Sequence, residues 1–142
     1  MRGGVDLHSH TTASDGSLSP RELVREAVKH GVRVLAITDH DSTEGLADAL
    51  DEAASHPPVT IVPGVEINTD LEDSEIHILG YFIHYEADWF QKFLHEQREE
   101  RIRRVHRIAD RLADLGMPID PEKVFSLVKE GSVGRPHVAQ VM

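Results

Sequence analysis

The apolar run Val32-Arg33-Val34-Leu35-Ala36-Ile37 stops abruptly at Thr38-Asp39-His40-Asp41. A short run of this kind predicts a strand buried in a sheet. Its neighbours set the architecture. Before it, Ser19-Pro20-Arg21-Glu22 is a helix start, with Ser19 as N-cap, Pro20 in the first turn and Glu22 closing a capping box. Leu23, Ala27 and Val28 give that helix an apolar stripe, and Gly31 suits the residue just past its end. After it, a helix over roughly 44–54 turns Leu46, Ala49, Leu50 and Ala53 inward. The strand Thr60-Ile61-Val62 then leads into Pro63-Gly64-Val65-Glu66-Ile67. Ahead of all these, Val5-Asp6-Leu7-His8-Ser9-His10 reads as a strand, with Val5 and Leu7 on one face and Asp6, His8 and His10 on the other. The order strand, helix, strand, helix, strand predicts an α/β fold with a parallel sheet. The polar signals fall at the C-terminal strand ends, where such folds place their active sites.

The texture changes further on. Glu75-Ile76-His77-Ile78-Leu79-Gly80-Tyr81-Phe82 reads as a fourth strand. Asp88 can cap a long helix running to Leu115, with Gly116 and Pro118 marking its end. Its apolar stripe (Phe90, Leu94, Ile102, Val105, Ile108, Leu112, Leu115) is broken by the wholly polar stretch His95 to Arg101. A shorter helix runs from Pro121 to roughly Lys129, and Pro136 suits the start of another, so the sequence stops inside an element.

Composition narrows the chemistry. The chain has 142 residues, 10 histidines, no cysteine and a net charge of −10. Without cysteine there are no disulfides, thiolate nucleophiles, cysteine-held zinc or iron–sulfur clusters. The negative balance argues against a general nucleic-acid coat. No apolar run of about 18 residues occurs, so no transmembrane helix is predicted. Met1-Arg2-Gly3-Gly4 lacks the apolar core of a signal peptide, which makes the cytoplasm the expected compartment. Many histidines in an acidic, cysteine-free chain point to a metal site of imidazole and carboxylate.

Taken singly, the candidate ligands are ambiguous. His8 and His10, two apart on a strand, can grip one ion, yet one such pair is about what chance gives with ten histidines. Asp15, followed by Gly16, can equally be turn chemistry. Asp39-His40 ending an apolar strand is harder to explain by packing, because burying an unpaired aspartate and imidazole costs several kcal/mol, on the order of 2–7. A plain turn remains the alternative there. Glu66 is either a metal-bridging carboxylate or an ordinary strand-end glutamate. His77, between Ile76 and Ile78, reads alone as a satisfied core histidine. Together, four successive strand ends or inner faces each offer a histidine or carboxylate, and that joint pattern favours a metal site. His30, His56, His84, His95 and His106 read as surface or local residues.

Arg98, Arg101, Arg103, Arg104, Arg107 and Arg111 crowd one helix, with Arg98, Arg101 and Arg104 on one face. They are either a solvated face balanced by Glu99, Glu100 and Asp110, or a phosphate clamp, since guanidinium groups bind phosphate bidentately. Arg135 and His137 flank Pro136 at a helix N-terminus, which is either a simple helix start or an anion site.

His8-x-His10, Asp15, Thr38-Asp39-His40, Gly64-Val65-Glu66 and His77 resemble the opening motifs of the polymerase and histidinol phosphatase (PHP) superfamily. Gly134-Arg135-Pro136-His137, after a helical insertion, resembles its branch of small phosphoesterases, which includes nucleoside 3′,5′-bisphosphate phosphatases and 5′-to-3′ exoribonucleases. The resemblance implies the N-terminal part of a distorted (β/α)7 barrel: residues 1–86 its first part, 87–133 a helical insertion and 134–142 an incomplete return. It implies two to three divalent ions, manganese first, with zinc, iron or magnesium as alternatives. His8 and His10 would hold one ion, Glu66 would bridge it to a second held by His77, and Asp15 and His40 would hold the third. Asp39 would orient a ligand from behind, and Arg101, Arg104, Arg135 and His137 would bind substrate phosphate. The family draws further ligands, a histidine and an Asp-x-His pair, from a second half. None follows here before Met142, so the chain is expected to be a fragment that needs the C-terminal half of the same protein.

The expected activity is hydrolysis of nucleotide phosphomonoesters, nucleoside 3′,5′-bisphosphates or short RNA 5′ ends, by a metal-activated hydroxide. The substrate is a small phosphorylated molecule or short oligonucleotide, with no duplex and no membrane as partner. The alternatives are a PHP phosphatase for another substrate, such as histidinol phosphate, a non-catalytic metal-binding module, or a basic helix that holds RNA without cleaving it.

Overall fold

The computed structural model describes residues 3–71, 74–128 and 131–142. The elements run β1 (Gly4–Asp6), α1 (Pro20–Lys29), β2 (Val32–Ile37), α2 (Leu46–Ala54), β3 (Thr60–Leu71), β4 (Ser74–Tyr81), α3 (Asp88–Asp114), α4 (Pro121–Phe125) and α5 (Arg135–Val141). They build one sheet in the order β1-β2-β3-β4. The first three strands are parallel, as the helical crossovers α1 and α2 require. The fourth departs from the parallel pattern. β4 pairs antiparallel with β3, from Gly64↔Tyr81 to Leu71↔Ser74, because so short a connection cannot make the crossover a parallel strand needs.

β3 serves two partners in succession. Thr60 to Pro63 pair with β2, and Gly64 to Leu71 pair with β4. The changeover is tight. A Cβ on Gly64 would sit 2.9 Å from the Gly80 carbonyl and 3.0 Å from that of Ile37, so glycine is required.

α1 forms as its sequence dictates. Ser19 accepts from the Glu22 N–H, Glu22 answers on the Ser19 N–H, and Gly31 follows at φ +75°. The main core lies between α1, α2 and the sheet, built on Val24, Leu35, Ile37, Leu46 and Ala49. α3 serves two further cores. Phe90 and Leu94 pack on Val65 of β3, and Val105 packs with Val124, Val133 and Val138. The polar gap in the α3 stripe falls between these cores, where the helix passes the strand ends.

β1 is shorter than its sequence suggests, and Val5 and Leu7 are exposed rather than in the core. Past Asp6 the ladder gives way to bonds made by Ser9. Its hydroxyl donates to Ala36 O at 2.5 Å, and its carbonyl accepts from Thr38 N–H at 2.9 Å. α4 also ends early, at Phe125, and the helix end expected at Lys129 lies outside the described residues, as do Met1 and Arg2. No helix among the described residues is long and apolar enough to cross a membrane.

Candidate metal centre

The parallel strands deliver their C-terminal ends to one place. Glu66 is buried there, and four imidazoles face its carboxylate. His8 Nε2 lies 2.9 Å and His10 Nε2 3.0 Å from Oε2, His40 Nδ1 3.6 Å from Oε2, and His77 Nδ1 2.5 Å from Oε1. Asp15 lies 3.5 Å from His10 Nδ1 and 3.6 Å from His40 Nε2. The structure thus brings all six sequence-derived ligand candidates together. They form three overlapping donor sets: His8, His10 and Glu66; His10, Asp15 and His40; His40, Glu66 and His77.

Each residue arrives by a different local device. His8 and His10 follow β1 in the segment fixed by Ser9. His40 follows β2 and forms a parallel bridge with Glu66, extending the β2–β3 pairing by one step. His77 comes from β4, opposite Asn68 of β3. Asp15 sits in a turn closed by Gly16 N–H donating to Thr11 O at 2.9 Å. Gly16 cannot carry a side chain there, because a Cβ would stand 2.3 Å from the His10 carbonyl oxygen.

Asp39 holds that turn from beneath. It is buried and accepts from Thr11 N–H at 2.7 Å, Thr11 Oγ1 at 2.7 Å and Ser14 Oγ at 2.6 Å. Burial pushes its carboxyl pKa up, against the pull of the Ser14 and Thr11 bonds. Ser14 has one hydroxyl proton and spends it on Asp39, so toward His10 Nδ1, at 3.3 Å, it can only accept. That places the His10 proton on Nδ1 and leaves the Nε2 lone pair facing the Glu66 side.

The electrostatics suit a cation. Burial lowers the His40 pKa to about 4, helped by Arg101 and opposed by Asp15 and Glu66, so its ring is neutral and its lone pair available at neutral pH. Burial raises the Glu66 carboxyl, but the bonds from His8 and His77 and the fields of His40 and His10 outweigh it and hold it below the ordinary range. Among the described residues the buried His40 Nδ1 has no hydrogen-bond partner, and a metal ion would give it one. Imidazole nitrogen and carboxylate oxygen are donors suited to manganese, iron, zinc or magnesium.

A cavity of about 340 Å³ opens beside these donors, and its lining brings Asp15, His40, Asn68 and His77 together with Arg101, Arg104, Gly134 and Arg135. Three of the arginine and histidine phosphate candidates, Arg101, Arg104 and Arg135, are therefore on its wall. His137 is not among the lining residues. It is buried, and its Nδ1 accepts from Gly134 N–H at 3.0 Å, capping α5. The sequence reading gave no role to Thr11, Ser14, Asp41 or Asn68. Asn68 had a signal: it lies two residues beyond Glu66 on one strand and so on the same face.

This geometry is that of a known family. The PHP domain family matches residues 6–126, and the chain belongs to it. Among curated proteins it is similar to the 5′-3′ exoribonuclease Rnm of Escherichia coli K12, 44% identical over 138 residues, or 96% of this chain and 47% of the relative. It is 39% identical to the 5′-3′ exoribonuclease of Haemophilus influenzae over 142 residues, 100% of this chain and 51% of that one. A 3′,5′-nucleoside bisphosphate phosphatase from Chromobacterium violaceum is 34% identical over 113 residues, 80% of this chain and 39% of the relative. The chain thus spans about half the length of the curated relatives it matches. Among solved structures, a Bifidobacterium adolescentis protein assigned as a metal-dependent phosphoesterase superposes with a TM-score of 0.88 at 33% identity, covering 99% of this chain and 50% of that one. An amidohydrolase from Chromobacterium violaceum, solved with sulfate and no metal, also gives 0.88, at 29% identity over 97% of this chain and 49% of that one.

Proposed function

We propose that the protein is a divalent-metal-dependent phosphoesterase that hydrolyses phosphomonoesters of nucleotides, either nucleoside 3′,5′-bisphosphates or the 5′ ends of short RNA. One observation carries the reading: Asp15, His40 and His77, which belong to the overlapping donor sets, line one cavity together with Arg101, Arg104 and Arg135. The exoribonuclease and bisphosphate phosphatase relatives support the substrate class.

His8 and His10 would hold one ion, Glu66 would bridge it to a second held with His77, and Asp15 and His40 would hold a third. Divalent ions bound there supply Lewis acidity and a water nucleophile at neutral pH. The chain's own residues do the rest. Asp39, through Ser14, fixes the His10 tautomer. Arg104 and Arg135 place positive charge where the phosphate oxygens would lie. With no cysteine in the chain, no thiol nucleophile takes part. The cavity is of a size for one small ligand, and a duplex is not an expected partner.

The test is phosphate release by the full-length, manganese-loaded protein from nucleoside 3′,5′-bisphosphates, 5′-phosphorylated short RNA, sugar phosphates and histidinol phosphate, with a chelator as control. Hydrolysis of the nucleotide substrates, abolished by chelation, is expected. Turnover of histidinol phosphate alone would replace the substrate class. Metal binding with no hydrolysis across the panel would overturn the enzyme reading.

A further inference from the structure

Asp41 is used by nothing described so far, yet it is among the most constrained residues in the molecule. It is 1% exposed and has a positive φ of 46°, a conformation that costs an ordinary side chain but that aspartate, asparagine and glycine tolerate. Its bonds join two elements far apart in sequence. Its N–H donates to Glu66 O at 2.9 Å, and its Oδ1 accepts from Asn68 N–H at 3.4 Å, both on β3. Its carbonyl accepts from Arg98 Nη1 at 3.1 Å, and its Oδ2 accepts from Arg101 Nε at 2.5 Å, both on α3.

The consequence lies in Arg101. A guanidinium is planar and rigid, so fixing two of its nitrogens fixes the third. Nε is held by Asp41, and Nη1 donates to Val133 O at 3.4 Å. Nη2 remains, buried and without a hydrogen-bond partner among the described residues, on a side chain that lines the cavity with His40 and His77. A buried donor left unpaired is costly, and a ligand oxygen would relieve it. Asp41 also neutralises the Arg101 charge. What Arg101 offers a ligand is then direction more than net charge.

We propose that Asp41 is a positioning residue, which holds the Arg101 guanidinium so that Nη2 is presented to a phosphate group in the cavity beside His40 and His77. The inference rests on the reading of that cavity as a phosphate site. It makes one carboxylate the link between the metal donors, through the adjacent His40 and the Glu66 backbone, and the arginines on α3.

The experiment uses the metal-loaded full-length protein and inorganic phosphate as probe, read by calorimetry, beside KM and kcat. Asp41→Gly removes the carboxylate without straining the backbone at this φ. Asp41→Asn keeps one acceptor at the same φ, which can serve Arg101 Nε while the amide N–H is left toward the longer 3.4 Å contact of Asn68 N–H. Asp41→Gly is expected to weaken phosphate binding and raise KM about tenfold, with metal content unchanged and kcat altered less than KM. Asp41→Asn is expected to restore most of the affinity. An unchanged affinity in Asp41→Gly, a parallel loss of metal, or no rescue by Asp41→Asn would each overturn the positioning role. Arg101→Ala separates the two levels. If it leaves phosphate affinity unchanged, the phosphate reading of the cavity fails. If it weakens binding while Asp41→Gly does not, the cavity reading stands and the positioning role falls. Should Asp41→Gly not fold, Arg101→Lys carries the test. Its ammonium can pair with Asp41 but has no second nitrogen to present, so a similar loss is expected and full retention would overturn the proposal.

Discussion

The α1–α2 layer behind the sheet and the face at the strand ends use the same residue types to opposite ends. Behind the sheet, Arg21 meets Asp48 at 2.8 Å and Asp51 at 2.7 Å, and Arg25 grips Glu52 through two bonds of 2.8 and 2.9 Å. Those arginines are 39% and 59% exposed, so their pairs are complete, water-screened and individually weak. At the strand ends Arg101 is 12% exposed and Asp41 1%. There the groups are buried and, among the described residues, the bonding is incomplete, with His40 Nδ1 and Arg101 Nη2 left without partners. A protein gains no stability from buried donors and acceptors that stay unmatched. The first region holds the fold together, and the second keeps bonding capacity in reserve for a ligand.

That division can be broken by mutation. The largest expected effect is on Glu66→Gln, because four imidazoles face that carboxylate. Metal affinity and activity should each fall by at least about 10²-fold, with little change in the melting temperature of the metal-free protein. Calorimetric metal titration and a thermal melt check both halves, and a collapse of the metal-free fold would erase the distinction. Leu46→Ala should do the reverse. Leu46 is fully buried in the α1–α2 core, so its truncation should cost about 2–5 kcal/mol in denaturant unfolding while metal affinity holds. Asp39→Asn comes next. The amide presents a donor where Thr11 or Ser14 also donates, so the turn carrying His10 and Asp15 loses an anchor. A loss of about 10- to 100-fold in metal affinity is expected. If Leu46→Ala weakened metal binding as much as Asp39→Asn, the two regions would have to be treated as one.

What could be read from the sequence follows the same line. Local rules governed α1, where Ser19, Pro20, Glu22 and Gly31 announce a helix that forms as announced. The candidate ligands were legible because each strand ended in a residue that packing does not explain. The antiparallel β4 was not, since pairing direction depends on the length of a connection rather than on the pattern within the strand. Asp41 was hidden for a further reason. Two of its partners come from α3, about 60 residues away in sequence, the other two from β3, and its own neighbourhood reads as a turn. His137 invites an anion-binding role from its place beside a helix N-terminus, and the cap its Nδ1 makes with the Gly134 N–H is a second role that the sequence does not announce.

The smallest expected effect tests the stabilising region alone. The Arg25 bonds lower the Glu52 pKa from the ordinary 4.5 to about 2, against the opposing effect of burial, and His56 at 3.1 Å adds to the lowering. A carboxyl whose pKa is depressed by folding stabilises the native state when it is ionised in both states. Its contribution is therefore present above about pH 4.5 and is lost as pH falls toward about 2. Glu52→Gln should lower the melting temperature at pH 7 by a few degrees at most, because Arg25 is exposed and screened. The gap between mutant and parent should then close as pH drops through that window. Melts at neutral and acid pH measure it. A gap that persisted at pH 2 would assign the effect to packing of the side chain rather than to its charge, and the contrast between the two regions would lose its electrostatic basis.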